Sequence, residues 1–97
     1  MRQEKLRSVT AYLVSVKSPA ARAQIRRAYR GLCKARGLDP YRGRGTWPAR
    51  REALQVALFR VEDRLESRKG GQSGNPVVDQ IHAARLRVED DLGWADW

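Results

Sequence analysis

The stretch that decides the fold is residues 18–37, which read SPAARAQIRRAYRGLCKARG. Ser18 can serve as a helix N-cap, Pro19 suits the first helical turn, and Gly37 is typical of a helix C-terminus. At 100° per residue the apolar and basic side chains separate onto opposite sides. The apolar side holds Ala21, Ile25, Ala28, Tyr29, Leu32 and Ala35. The opposite side, called the basic face below, holds Arg22, Arg26, Arg27, Arg30 and Lys34. We therefore predict an amphipathic helix that packs through one side and displays positive charge on the other.

An earlier segment has the same periodicity. From about Arg2 to Lys17, apolar residues recur on one side of a helix, which predicts a helix there. Residues 9–16 are also rich in strand formers, so a strand remains the alternative.

Two further helices are predicted after residue 46. The third runs from about Pro48 to Lys69, with Thr46 or Trp47 as its cap. The fourth opens on the cap-and-proline pair Asn75-Pro76 and ends at Gly93. Residues 70–75 read GGQSGN, the composition of a flexible linker, and residues 93–97 form a tail that contains two tryptophans.

The fold class that follows is all-α, a small bundle of three to four helices with a Gly/Arg-rich loop between helices 2 and 3. A chain of 97 residues suits a single helical domain over 1–97. Cys33 is the only cysteine, so no intramolecular disulfide forms, and we expect a packing residue in a reducing compartment. No apolar run has the length of a signal peptide or a membrane span, so the predicted localisation is cytoplasmic, with or without attachment to the chromosome.

The net charge of +9 is unevenly distributed. Residues 1–51 carry fourteen Lys and Arg against two acids, whereas residues 52–97 carry six against nine. An ordinary solvated surface mixes both signs, so the first half favours a polyanionic partner, and nucleic acid is the commonest one inside a cell. Sixteen of the twenty basic residues are Arg, which suits phosphate contacts but is equally typical of a GC-rich genome.

The connection between helices 2 and 3 adds to this basic region. It contains the run Tyr41-Arg-Gly-Arg-Gly-Thr-Trp47, in which arginines suit phosphates, glycines allow close backbone approach and aromatic rings can stack on bases. Residues 42–44 resemble the short Arg-Gly-Arg core of AT-hook peptides and of some bacterial nucleoid proteins, which implies arginines lying along a minor groove. Gly45 stands where that motif usually has proline, and the resemblance covers three residues only.

The inventory for catalysis is poor. The chain has one His and one Cys, lacks a Gly-rich phosphate loop of standard pattern, and carries its acids mostly beside arginines on helix faces. We expect no enzymatic activity, no cofactor and no metal, and we interpret His82 as a surface residue.

The leading prediction is a non-enzymatic accessory protein that binds DNA or RNA, mainly through the backbone. The predicted contacts are Arg22, Arg26, Arg27, Arg30, Lys34, Tyr41, Arg42, Arg44, Trp47, Arg50 and Arg51. The alternative is a small protein-binding adaptor or inhibitor of the phage, plasmid or toxin-antitoxin type. It would dock its basic face or its tryptophan tail on a partner protein.

Four residues are predicted to contact a protein partner or a second copy in a homodimer: Phe59, Leu86, Trp94 and Trp97. The alternative for the tail is that Trp94 folds back to complete the core. Phe59 and Leu86 fall on the back of their helices. Glu89, Asp90 and Asp91 oppose the helix dipole, so something other than helix stability placed them there, and a partner is one explanation.

Overall fold

The structure, a computed structural model, describes residues 5–68 and 76–93, and this part of the chain is helical and contains no strand. The all-α prediction is confirmed, as is the number of helices. These are α1 (Val9–Tyr12), α2 (Pro19–Ala35), α3 (Trp47–Arg68) and α4 (Pro76–Asp91), with 3-10 turns at Leu13–Ser15 and Arg44–Thr46. The predicted linker at 70–75 and the predicted contacts Trp94 and Trp97 lie outside the described residues.

Helix α2 begins and ends where its sequence signals predict. The Ser18 hydroxyl accepts a hydrogen bond from Ala21 N at 3.2 Å, and Pro19 opens the first turn. At the other end Gly37 has φ 69°, a left-handed conformation that glycine adopts without strain. Leu38 N donates to the Cys33 carbonyl at 2.8 Å, which satisfies an end group of the helix.

The first segment departs from the prediction of a helix from about Arg2 to Lys17. Residues 5–8 are not helical, and α1 starts only at Val9, where the Ser8 hydroxyl accepts from Ala11 N at 3.4 Å. The cause is long-range: Leu6 N donates to the Asp91 carboxylate at 3.0 Å, and Leu6 O accepts from Arg51 Nη2 at 2.9 Å. Partners elsewhere in the fold thus replace the bonds that a helix would give this backbone.

Helix α3 is the centre of the fold, because it packs against both α2 and α4. This explains why its sequence is apolar on more than one side. The predicted stripes supply most of the interior, and Cys33 is confirmed as a buried residue. The fully buried core side chains include Ile25, Tyr29, Leu54, Leu58, Val61, Ile81 and Val88.

A buried polar cluster joins the two ends of the described chain. The Tyr12 hydroxyl lies 2.6 Å from Asp91 Oδ2 and accepts from Arg51 Nε at 2.9 Å. Leu6 O lies 2.9 Å from both Tyr12 Oη and Arg51 Nη2. It accepts from the Arg51 guanidinium, because the single proton of the Tyr12 hydroxyl is donated to Asp91. Asp91 also accepts from Arg87 Nε at 3.4 Å. These bonds tie the N-terminal segment and α1 to α3 and α4.

The ionisation of this cluster follows from its contacts. Burial raises the pKa of the Tyr12 hydroxyl to about 12, and its hydrogen bond to Asp91 acts in the same direction. Burial alone would also raise the pKa of the Asp91 carboxyl, but hydrogen bonds from Tyr12 and Leu6 N, together with Arg87, outweigh it and hold that pKa below its ordinary value. Asp91 therefore has an internal role, and a partner is not needed to explain its position.

Candidate nucleic-acid interface

A pocket of about 180 Å³ opens where the N-terminal segment meets α2, the connection 36–46 and the start of α3. We call it the arginine pocket. Three of its described lining residues are arginines and none is acidic. The lining consists of Arg7, Ser8, Val9, Thr10, Arg26, Pro40, Tyr41, Trp47 and Arg50.

The outer wall of the pocket joins α1 to the basic face of α2. Arg26 Nη2 donates to the Thr10 hydroxyl at 2.9 Å, which holds this guanidinium across the gap between the two helices. Arg7 lies on the same side, in the exposed segment that precedes the Ser8 cap. Because residues 5–8 are not helical, Arg7 reaches a site that a continuous first helix would not predict.

The connection 36–46 supplies the aromatic wall. Asp39 Oδ1 accepts from Tyr41 N at 2.8 Å, and the Tyr29 hydroxyl donates to Pro40 O at 2.5 Å. The Tyr41 ring packs edge-to-face near Tyr29, with ring centroids 6.2 Å apart, yet 51% of Tyr41 remains exposed. Burial raises the pKa of Tyr29, so its hydroxyl keeps the proton that it donates to Pro40. The exposed ring is thus fixed on a buried, neutral tyrosine.

Arg50 forms the floor of the pocket and orders the connection above it. Only 3% of this residue is exposed. Its guanidinium donates to Thr46 Oγ1 at 2.9 Å, Gly43 O at 2.7 Å and Pro40 O at 3.4 Å. Its central carbon also lies 4.0 Å from the centroid of the Trp47 ring, a cation–π contact. Every one of these partners is neutral.

The backbone of the connection fits this arrangement. Gly43 has φ 101°, which side-chain-bearing residues rarely adopt, and its carbonyl accepts from both Arg50 and the Thr46 hydroxyl. A Cβ built on Gly43 would lie 3.0 Å from Thr46 Oγ1. Glycine at this position therefore lets the chain close over the arginine.

The structure brings four of the predicted nucleic-acid contacts together in the pocket: Arg26, Tyr41, Trp47 and Arg50. Arg27, Arg30 and Lys34 are exposed along α2, and Arg22 is half-buried with Nη1 3.5 Å from Val16 O. Arg42 is exposed, and the backbone of Arg44 begins the 3-10 turn, while its side chain lies outside the described part.

Arg50 and Arg51, which are also predicted contacts, are 3% and 6% exposed. Arg51 bonds to Tyr12 and Leu6 inside the polar cluster, and Arg50 bonds to the connection. These hydrogen bonds give both arginines a structural role within the fold. Sequence reasoning also missed Arg7 and Thr10 as pocket residues. The surplus of basic residues in the first half was the only signal for Arg7, and Thr10 gave none.

A second surface lies on α3 and α4. Gln55 Nε2 donates to Glu89 at 3.0 Å, Arg85 Nε donates to Glu62 at 2.9 Å, and His82 Nδ1 lies 3.2 Å from Glu62, so these contacts join the two helices. Phe59 lies between the two α3 positions and is 51% exposed, with the Arg85 guanidinium 5.7 Å from its ring centroid. Leu86, next to Arg85, is 50% exposed.

Comparison with protein-family models, curated proteins and solved structures gives no match for this chain. Within residues 5–68 and 76–93, no group of three or more acidic, His or Cys side chains is placed to hold a metal ion. No helix in the same ranges combines the length and apolar character needed to cross a bilayer.

Proposed function

We propose that this protein is a non-enzymatic accessory protein that binds DNA or RNA. The observation that carries the proposal is the arginine pocket, which combines three arginines, an exposed tyrosine and no acidic side chain among its described lining residues. Pockets and faces lined by one sign of charge concentrate ligands of the opposite sign. Phosphates are the anions that arginine forks recognise best.

The basic face extends the pocket into a longer surface. Arg30 lies one helical turn beyond Arg26, and Lys34 one turn further, so cations repeat about every 6 Å along α2. This is close to the spacing of successive phosphates in an extended strand. Contacts of this kind fix position without reading sequence, so binding is backbone-dominated, with Arg42 and Arg44 adding contacts from the Arg-Gly-Arg segment.

The test is fluorescence-anisotropy binding to labelled DNA and RNA between roughly 50 and 300 mM salt. We expect affinity to fall steeply with salt. The double variant Arg27→Ala/Arg30→Ala should reduce the slope on duplex DNA by roughly two phosphates' worth, about 1.8 in log K against log salt. Arg60→Ala/Arg64→Ala removes the same charge from exposed positions of α3 and serves as the matched control.

Comparison of the two double variants distinguishes binding by the basic face from binding by net charge alone. Equal losses in the two double variants would mean that net charge alone, rather than the basic face, produces the affinity. Absence of saturable binding at the lowest salt would refute the proposal as a whole.

A second candidate function is a small adaptor or inhibitor that binds another protein or a second copy of itself. The half-exposed side chains of Phe59 and Leu86 favour it, since aromatic residues are enriched in the cores of protein interfaces. Sedimentation velocity over a concentration series tests the homodimer. Association that disappears in Phe59→Gln/Leu86→Gln would support this surface, whereas a monomer at every concentration would exclude self-association through it.

A further inference from the structure

Arg50 carries a positive charge inside the fold, and its described hydrogen-bond partners include no acidic side chain. The guanidinium is buried, and its described hydrogen bonds all go to neutral oxygens of Thr46, Gly43 and Pro40. Buried ions are normally paired with an opposite charge, because carbonyl dipoles replace the lost water only in part. An anion in the pocket above Arg50 would complete this balance, and Arg7 and Arg26 line the same pocket.

The aromatic side chains that line the pocket, Tyr41 and Trp47, indicate which kind of anion would bind there. Tyr41 is half exposed and is backed by Tyr29, so an open aromatic surface is held beside the arginines. Trp47 is less available as a stacking platform, because Arg50 covers one face of its ring at 4.0 Å. An aromatic ligand with an attached phosphate uses both features, and a nucleotide is such a ligand.

The size of the pocket excludes a base pair. Its 180 Å³ is smaller than the roughly 300–1,000 Å³ of typical small-molecule sites, so the phosphate and sugar of one nucleotide can enter it while the base stacks on the exposed part of Tyr41. A base inside a duplex is stacked and paired, and reaching such a pocket would require extruding it. An unpaired base enters without that cost.

We propose that the arginine pocket binds one unpaired nucleotide, its phosphate held by Arg7 and Arg26 and its base stacked on Tyr41. The protein therefore prefers single-stranded nucleic acid to a duplex of the same sequence. This inference rests on the proposed nucleic-acid function and names the substrate class of the same site. The basic face binds the flanking phosphates in either form, and the pocket produces the preference.

The experiment compares anisotropy binding of one labelled oligonucleotide, as DNA and as RNA, with its duplex at a single salt concentration. We expect the single strand to bind at least about fivefold more tightly. Tyr41→Ala should weaken single-strand binding about tenfold and duplex binding less than about twofold, because a stacked base contributes about that much. Tyr41→Phe keeps the ring and should retain the preference.

A second pair of variants tests the phosphate contact. Arg7→Gln should weaken single-strand binding and lower its salt slope by about 0.7, the value for one phosphate on a single strand. Lys5→Gln makes the same charge change at another exposed position outside the described lining of the pocket and is the control. Circular dichroism checks that every variant is folded.

Equal affinity for single strand and duplex, or a Tyr41→Ala variant that loses both equally, would overturn the pocket assignment while leaving nucleic-acid binding in place. An Arg7→Gln effect no larger than that of Lys5→Gln would also overturn it. If neither form binds at any salt, the proposed function itself fails.

Discussion

Replacing Tyr12 by Phe should be among the most destabilising single-atom changes in this protein. The lost hydroxyl bonds to two charged groups at once, Asp91 at 2.6 Å and Arg51 at 2.9 Å. A hydrogen bond to a charged group contributes roughly 1.5–3 kcal/mol, and leaving a buried polar group without its partner costs more than the average net contribution of a hydrogen bond. The total cost is smaller than the sum of the two bonds, because Asp91 still accepts from Leu6 N and Arg51 still donates to Leu6 O. We expect the free energy of unfolding to fall by about 2–4 kcal/mol.

This loss is large for a domain of this size, whose total stability is on the order of 5–15 kcal/mol. It corresponds to a decrease in Tm of on the order of 10–20 °C. Urea and thermal unfolding followed by circular dichroism measure it directly. Tyr41→Phe removes the same atom from a half-exposed ring and should change stability by less than about 0.5 kcal/mol. A Tyr12→Phe variant as stable as this control would refute the view that the hydroxyl holds the cluster together.

Three further predictions concern acid stability and the connection 36–46. Because the Asp91 pKa lies below its ordinary value of 3.8, its contribution is present above about pH 4 and is lost as pH falls through the folded-state pKa. Urea unfolding at a series of pH values should therefore show a shallower acid loss in Asp91→Asn than in the wild type, and parallel curves would contradict this. Gly43→Ala should destabilise the protein by about 1–2 kcal/mol because φ at this position is 101°. Gly31→Ala lies in α2 with open space around the new Cβ and should stabilise the protein by about 0.5–1 kcal/mol. Urea midpoints that shift in the same direction in both variants would contradict this prediction. Arg50→Lys keeps the charge but not the three hydrogen bonds, so exchange of the Tyr41 and Thr46 amides, which donate to Asp39 and Gly43, should accelerate at least about tenfold while α4 is unchanged. Unchanged exchange there would show that the connection is ordered without the guanidinium.

The sequence predicts local structure well where the deciding interactions are local. Ser18, Pro19 and Gly37 mark the ends of α2 through contacts within a few residues, and the structure ends the helix there. The alternation of apolar and basic residues on α2 likewise depends only on helical geometry, and it separates the buried side from the exposed one.

Long-range hydrogen bonds explain most of the remainder. No periodicity in residues 1–17 indicates that the Leu6 backbone bonds to Asp91 and Arg51, so the first helix is predicted too long. Arg50 and Arg51 read as surface charges because burial of arginine is rare, and only the assembled fold shows which oxygens surround them. The pocket itself joins segments up to about 40 residues apart, which the sequence does not specify.

The bond between Leu6 N and Asp91 also has a bearing on the order of folding. Its two residues are 85 positions apart, so the contact closes nearly the whole described chain, whereas α2 and α3 are neighbours in sequence and can pair first. We therefore expect the N-terminal segment to dock late, after the helices that supply its partners have assembled. Weakening the Leu6–Asp91 hydrogen bond should leave the folding rate nearly unchanged and accelerate unfolding. The polar cluster therefore determines how long each folded molecule survives.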